Sequence, residues 1–314
     1  MFRSAQASRR LGLSPIGGAR CTLPTLLMPL MLFVAAPLHA GVIPVSIPVY
    51  TAVNWAGYAV GSLSSPVQDS VTGVGGSWIV PTATVSPNAS ASQQNCVIWV
   101  GIDGFNNGSV EQVGTSSSIE NGVPSYYAWV QLYGSMTTRY DVPIKPGDSI
   151  TASVKYGLPD HLTDFQLILT DNTTGQSFTD YGAVDGAPRS SAEWIVEPPR
   201  DSVGGTVLPL PTFGSATFTD AWATIGGATG TIGAINDPAW QAQLAKINMK
   251  NPAYGDAMTT SGLTTVGSGT AARSSFDVSQ PVPEPGTLSL LGVGVFVLGI
   301  AYRRKRDCKL QIEN

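Results

Sequence analysis

Short runs of β-branched and aromatic residues, each closed off by turn chemistry, fill the middle of this chain and constrain its backbone more than any other feature. Residues 96–102 (Cys96-Val97-Ile98-Trp99-Val100-Gly101-Ile102), 126–133, 149–156, 165–170 and 191–197 are such runs, and side chains of this kind pack well on a pleated surface. Between them stand Lys145-Pro146-Gly147-Asp148 and Asp171-Asn172-Thr173-Thr174-Gly175, where Pro presets φ, Gly supplies positive φ and Asp or Asn bonds its own backbone. No helical period intervenes. With 35 Gly, 23 Pro and 12 % charged residues, a helical bundle or coiled coil is excluded. A hydrophobic share of 43 % suffices for a sizeable core. The expected architecture is one all-β domain, an antiparallel sandwich or barrel. One local exception is Asp237-Pro238-Ala239-Trp240-Gln241-Ala242-Gln243-Leu244, where an N-cap Asp followed by Pro predicts a short helix. The Gly/Ser/Thr-rich residues 259–275 read as a loop before a last strand, and residues 279–285 as a linker.

Both ends read as processing signals. Residues 1–40 carry Arg3, Arg9, Arg10 and Arg20, the apolar run 26–36 and then Pro37-Leu38-His39-Ala40, the pattern of a secretory signal peptide cut near Ala40. Its apolar core is short for the competing reading, a membrane anchor. The other end opens at Val282-Pro283-Glu284-Pro285-Gly286, runs apolar over 288–302 and closes on Arg303-Arg304-Lys305-Arg306. About 15 apolar residues are marginal for a ~30 Å hydrocarbon core, and the basic cluster belongs on the cytoplasmic side. This tripartite tail resembles the PEP-CTERM sorting signal of Gram-negative bacteria, with a plain C-terminal anchor as the alternative. The resemblance implies export, transient inner-membrane anchoring, removal by an exosortase-type enzyme and a final place at the cell surface or outside the cell. The expected division is a signal peptide over 1–40, the domain over 41–280, the sorting signal with a short transmembrane segment over 281–306 and a cytoplasmic tail over 307–314.

Charge and cysteine usage narrow the function. Of 17 basic residues, four leave with the leader and five with the tail, and of 21 acidic residues three leave with the tail. Eight basic against eighteen acidic residues make residues 41–280 near −10, which argues against nucleic acid as a partner and suits a soluble exported protein, expected as a monomer. Cys96 is the one cysteine of that span, so no internal disulfide can form, and it reads as a small buried hydrophobe. His161 is the one histidine there, in an expected loop. A His-rich zinc centre is therefore impossible, and neither H-E-x-x-H, G-x-S-x-G nor Asp-Thr/Ser-Gly occurs. No metal or cofactor is expected, and any hydrolysis must use carboxylates and amides.

In Ser191-Ala192-Glu193-Trp194-Ile195-Val196-Glu197, period-two alternation puts Glu193, Ile195 and Glu197 on one face. Alone, two glutamates on a strand face are a weak signal, and so is Gln112 in Val110-Glu111-Gln112-Val113-Gly114. The ordered set is more specific: Asn54-Trp55-Ala56-Gly57-Tyr58, Gly76-Ser77-Trp78-Ile79-Val80-Pro81, Trp99-Val100-Gly101-Ile102-Asp103-Gly104, Glu111-Gln112-Val113-Gly114, Tyr127-Ala128-Trp129 with Tyr133, and Ala192-Glu193-Trp194-Ile195-Val196-Glu197. In order and spacing it resembles the glutamic peptidases, or eqolisins, over roughly residues 53–223.

The resemblance implies a concanavalin-like sandwich of two antiparallel sheets with a concave substrate face, and an exported acid endopeptidase acting on polypeptides. It implies that Gln112 and Glu197 are the catalytic pair, with Trp55, Trp99, Asp103 and Tyr133 on the substrate side. Glu197 would serve as general base and then general acid, and the Gln112 amide would stabilise the oxyanion. An unperturbed glutamate near 4.3 needs no upward shift for work in acid. Fungal relatives often carry carboxylates where this chain has Ser116 and Gln131. Trp78, Trp129 and Trp194 are expected in the core, and Tyr58 and Tyr126 are undecided. The competing function is a noncatalytic surface sandwich that binds polysaccharide or matrix, for which Glu197 would be dispensable.

Overall fold

The computed structural model describes residues 47–281 except 62, 64–65, 88–91, 202–204, 233–242 and 268–271. Two compact units divide the chain, Met1–Val45 and Ser46–Asn314, and every described residue belongs to the second. The expected signal peptide and the apolar tail lie outside the described residues. So does most of the expected helix; its last two positions, Gln243 and Leu244, open a strand instead.

Seventeen strands, numbered in chain order, and no helix occur among the described residues. One antiparallel ladder runs β7 (Thr138–Pro143), β6 (Val123–Gln131), β5 (Glu111–Glu120), β4 (Gln93–Ile102), β11 (Ser191–Glu197), β2 (Ala56–Gly61), β14 (Gln243–Asn251), and ends on β1 (Val49–Ala52). A second runs β10 (Gln176–Ala183), β9 (His161–Asp171), β8 (Ser149–Leu158), β3 (Val71–Ile79), β12 (Ser215–Ile225). The far side of β12 is shared by β13 (Ala228–Thr231) and β17 (Arg273–Ser279).

Period-two alternation decides where the core sits. In β4, Cys96, Ile98, Val100 and Ile102 join a cluster of buried side chains to which β2 and β11 also contribute, together with β3, β8, β9 and β12 of the second ladder. Two buried indoles bond across that core: Trp78 Nε1 donates to Thr115 Oγ1 at 3.0 Å and Trp194 Nε1 to the Gly75 carbonyl at 2.8 Å. Each N–H thus finds a partner where water cannot reach it. Val97 and Trp99, the alternate β4 positions, join a smaller cluster on the opposite face with Trp129, Ile195 and Ile247. Trp78 and Trp194 are core residues as expected, whereas Trp129 belongs to this outer face. Tyr58 is buried in the shared core with its hydroxyl on the Ser261 carbonyl, and Tyr126 accepts from the Ala83 amide.

The all-β expectation holds, and the two ladders are joined through one strand. β15 (Asp256–Thr260) pairs with β14 through Asp256, Ala257 and Met258, then with β17 through Thr259 and Thr260, so all 17 strands form one hydrogen-bonded system. A strand that turns a corner in this way changes partner along its length. β1 and β14 are parallel. The stretch 259–275 is also more regular than a loop: it holds the end of β15, β16 (Thr264–Val266) and the start of β17. Ser279 closes β17, and Gln280 is tied down by bonds to Pro211, Phe213 and Gly214, so these two residues are not linker, and residues 282–285 lie outside the described residues. His161 opens β9 rather than standing in a loop, stacks on Tyr181 at 4.0 Å and bonds Asp164.

Candidate active site

Strand register assembles three transverse rows on the outer face of the first ladder. Glu193, Gly101, Gln112 and Gln131 form the first, Ile195, Trp99, Gly114 and Trp129 the second, and Glu197, Val97, Ser116 and Tyr127 the third. Gln112 and Glu197 thus share a face although β4 lies between their strands. Gly101 and Gly114 leave room for one large side chain among the rows. A Cβ on Gly101 would stand 2.8 Å from Trp99 Cζ3 and 3.2 Å from Gln112 Cβ, and a Cβ on Gly114 2.7 Å from Trp99 Cβ. The six-membered ring of Trp99 therefore lies over Gly101.

The other edge of the same indole reaches the carboxylate. Trp99 Nε1 donates to Glu197 Oε2 at 3.0 Å, and Asn54 Nδ2 donates to Glu197 Oε1 at 2.6 Å. Trp55 stands edge-on to Trp99, with ring centroids 5.0 Å apart. Burial pushes the Glu197 carboxyl up to about 7, against the opposing pull of Trp99, Asn54 and Trp55 and of the Arg200 cation. Taking the carboxylate out of water outweighs its donors.

Gln112 is buried on β5. Its Nε2 donates to Gln131 Oε1 at 3.0 Å, while its Oε1 has no hydrogen-bond partner. One N–H of the amide is held by Gln131 and the other is available. Ser116, the position where fungal relatives often carry a carboxylate, is buried and donates to Asn95 Oδ1 at 2.8 Å.

Asp103 does not face this site. It is fully buried with φ of 71°, and its carboxylate accepts from the Arg189 amide at 2.6 Å, from Ser190 N at 2.9 Å and Oγ at 3.2 Å, and from Asn107 Nδ2 at 3.0 Å. Its role is to clamp the chain entering β11, so the substrate-side expectation for Asp103 is replaced by a structural one. The Tyr133 side chain is exposed, at 56 %, beyond the end of β6. Trp55 and Trp99 adjoin Glu197.

Two further carboxyls are buried near Asp103. Glu111 accepts from Ser109 Oγ at 2.8 Å, and Glu193 lies beside Ser191 and the Phe105 backbone, whose downward pull on its carboxyl is outweighed by burial. Burial, with the neighbouring Asp103 and Glu111 charges, holds Glu193 well above the usual carboxylate range, and burial pushes Glu111 up to about 7. Cys96 lies on the core side of β4 with its thiol pushed up by burial, an inert hydrophobe as expected. No group of three or more His, Cys, Asp or Glu able to hold a metal ion occurs among the described residues. Sequence reasoning missed Asn54 as a partner of Glu197 and Gln131 as the holder of Gln112. Asn54 was signalled only by its place beside Trp55.

Comparison with known proteins bears on this arrangement. The sequence model of the Peptidase A4 family matches residues 53–268, and that of the PEP-CTERM protein-sorting motif matches residues 281–306. Aspergillopepsin-2 of Aspergillus niger is 32 % identical over 196 residues, which cover 56 % of this chain and 66 % of the relative, so the match spans just under two thirds of that protein. Among solved structures, scytalido-glutamic peptidase with a transition state analog inhibitor is similar with a TM-score of 0.52 at 23 % identity, over 73 % of this chain and 98 % of that one. SCP-B, a member of the eqolisin family of peptidases in a complex with the tripeptide Ala-Ile-His, is similar with a TM-score of 0.50 at 23 % identity, over the same shares. These two likenesses concern the fold.

Proposed function

Because the chain belongs to the Peptidase A4 family, the glutamic peptidases, we propose that it is an endopeptidase in which Glu197 and Gln112 work as a pair on an extended polypeptide. The observation that carries this reading is Trp99, whose indole N–H holds Glu197 on the outer face that Gln112 shares. Ionised Glu197 takes a proton from a water as its oxygen bonds to the scissile carbonyl carbon. The free N–H of Gln112 Nε2 meets the negative charge that develops on the carbonyl oxygen. Glu197 then returns the proton to the leaving nitrogen as the C–N bond breaks. Gln131 fixes which way the Gln112 amide points, and Asn54 and Trp99 fix the carboxylate.

The finer fold that accompanies this reading is a sandwich, the two ladders being its layers and the Trp99 face its substrate groove. The sorting motif over 281–306 supports export, processing by an exosortase-type enzyme and a place at the surface of, or outside, a Gram-negative cell.

The test is cleavage of an unfolded protein by the purified wild type and Glu197→Gln, from roughly pH 2.5 to 7, with pepstatin and a chelator present. Turnover should resist both inhibitors and vanish in Glu197→Gln at unchanged melting temperature, and Gln112→Ala should lose about 10²–10³ in kcat. The base form of Glu197 becomes populated as pH rises toward about 7, so the limb that Glu197 controls ascends with pH. Equal turnover in Glu197→Gln, or none in a folded wild type, would refute the assignment and turn attention to glycan binding.

A further inference from the structure

We propose that Arg139 is a specificity-determining residue, forming a subsite on the Trp99 face for a carboxylate-bearing side chain of the polypeptide substrate. Resting on the peptidase reading, this adds a preferred substrate chemistry to it.

Arg139 lies on β7, directly opposite Trp129, and so extends the row Ile195, Trp99, Gly114, Trp129. Its guanidinium sits 3.7 Å from the centroid of the Tyr127 ring, which belongs to the third row with Glu197 and packs against the outer-face cluster. The cation is thus on the same face as Glu197 and Gln112, at its rim. A guanidinium laid on an aromatic ring is oriented by the ring and keeps its N–H edges outward, and those edges match a carboxylate in a two-pronged bond that no neutral group reproduces.

Among the described residues, Arg139 is the arginine whose guanidinium has neither an ion pair nor a hydrogen bond, only the Tyr127 ring. Eighteen acidic residues stand against eight basic ones in residues 41–280, so carboxylates are abundant. Arg189 pairs with Asp69 and Arg273 with Asp220, and Arg200 donates to the Gly205 carbonyl. Arg139 is exposed and makes no ion pair with any described residue, Asp141 two residues along the same strand included. β6, which carries Tyr127, is three strand spacings from β11, which carries Glu197, or about 14 Å at ~4.8 Å each. An extended peptide rising ~3.4 Å per residue crosses that span in about four residues, which sets the distance of the subsite from the cleaved bond.

The test uses peptides of one sequence in which a single Glu is walked outward on both sides of the cleaved bond, each matched by its Gln counterpart. At about pH 5.5 the substrate glutamate is ionised. The wild type should favour Glu over Gln by about tenfold in kcat/KM at one position. Arg139→Gln should bring that ratio to near one without slowing the Gln peptide, and Arg139→Lys should retain part of the preference. The same peptide pairs are titrated into Glu197→Gln, where binding is read without hydrolysis. A ratio near one at every position, or a preference that survives Arg139→Gln, overturns the proposal. A binding preference that depends on Arg139 in a protein that cleaves nothing upholds the subsite and overturns the peptidase reading instead.

Discussion

Asp103 and Glu197 show two uses of a buried carboxylate. Asp103 spends its oxygens on Arg189 N, Ser190 and Asn107 Nδ2, so removing it leaves buried donors without partners. Asp103→Ala should therefore lower stability by about 3 kcal/mol, measured by urea unfolding, and leave the Glu197 pH limb in place. Glu197 meets Asn54 and two indoles on the substrate side instead. Strand alternation made it legible that Glu193 and Glu197 share a face, whereas Gln112 was singled out only by the order of motifs. Asn54 was not, since its partner is 143 residues away and an isolated Asn before a strand reads equally well as a turn. Asp103 was misread for a related reason: an Asp followed by Gly suits a loop clamp and a substrate contact alike, and only the chain that packs on it decides.

At the scale of strands, two glycines set the spacing on which the site depends. Gly114 faces Trp99 across the β4–β5 pair, and a Cβ there would stand 2.2 Å from the Ile98 carbonyl oxygen. Gly114→Ala must push the strands apart or swing the indole off Glu197. The expected result is a loss of about 1–3 kcal/mol or more with a fall in kcat, checked by melting temperature, tryptophan fluorescence and turnover. Strands such as β4, β8 and β11 were readable because β-branched and aromatic residues alternate with clear turns. β15 and β16 were not, because Gly, Ser and Thr carry little packing signal and these strands are fixed by backbone pairing with β14 and β17. The N-cap signal at Asp237 likewise says nothing about β14, whose first residues pair with β2 from far away in sequence.

Across the whole molecule, buried carboxyls tie folding to pH. Burial raises Glu111 from 4.5 to about 7 and holds Glu193 well above the usual carboxylate range, so the folded state holds protons that the unfolded chain releases. Their contribution to stability is complete below about pH 4.5 and is lost as pH climbs through the folded values. Melting temperature should be highest in acid and fall toward neutrality, and Glu193→Gln should flatten that decline in a scan of unfolding against pH. On the peptidase reading, the limb that rises with ionisation of Glu197 and the limb that falls with this lost stability both lie toward about pH 7, so stability bounds turnover on the alkaline side. The topology adds a matter of timing. β2 lies between β11 and β14, so a chain emerging N-terminus first holds Asn54 and Trp55 in waiting until Glu197 follows, and leaves one edge of β2 bare until Ile247 has arrived. A half-made copy therefore lacks the carboxylate to which Asn54 and Trp99 donate.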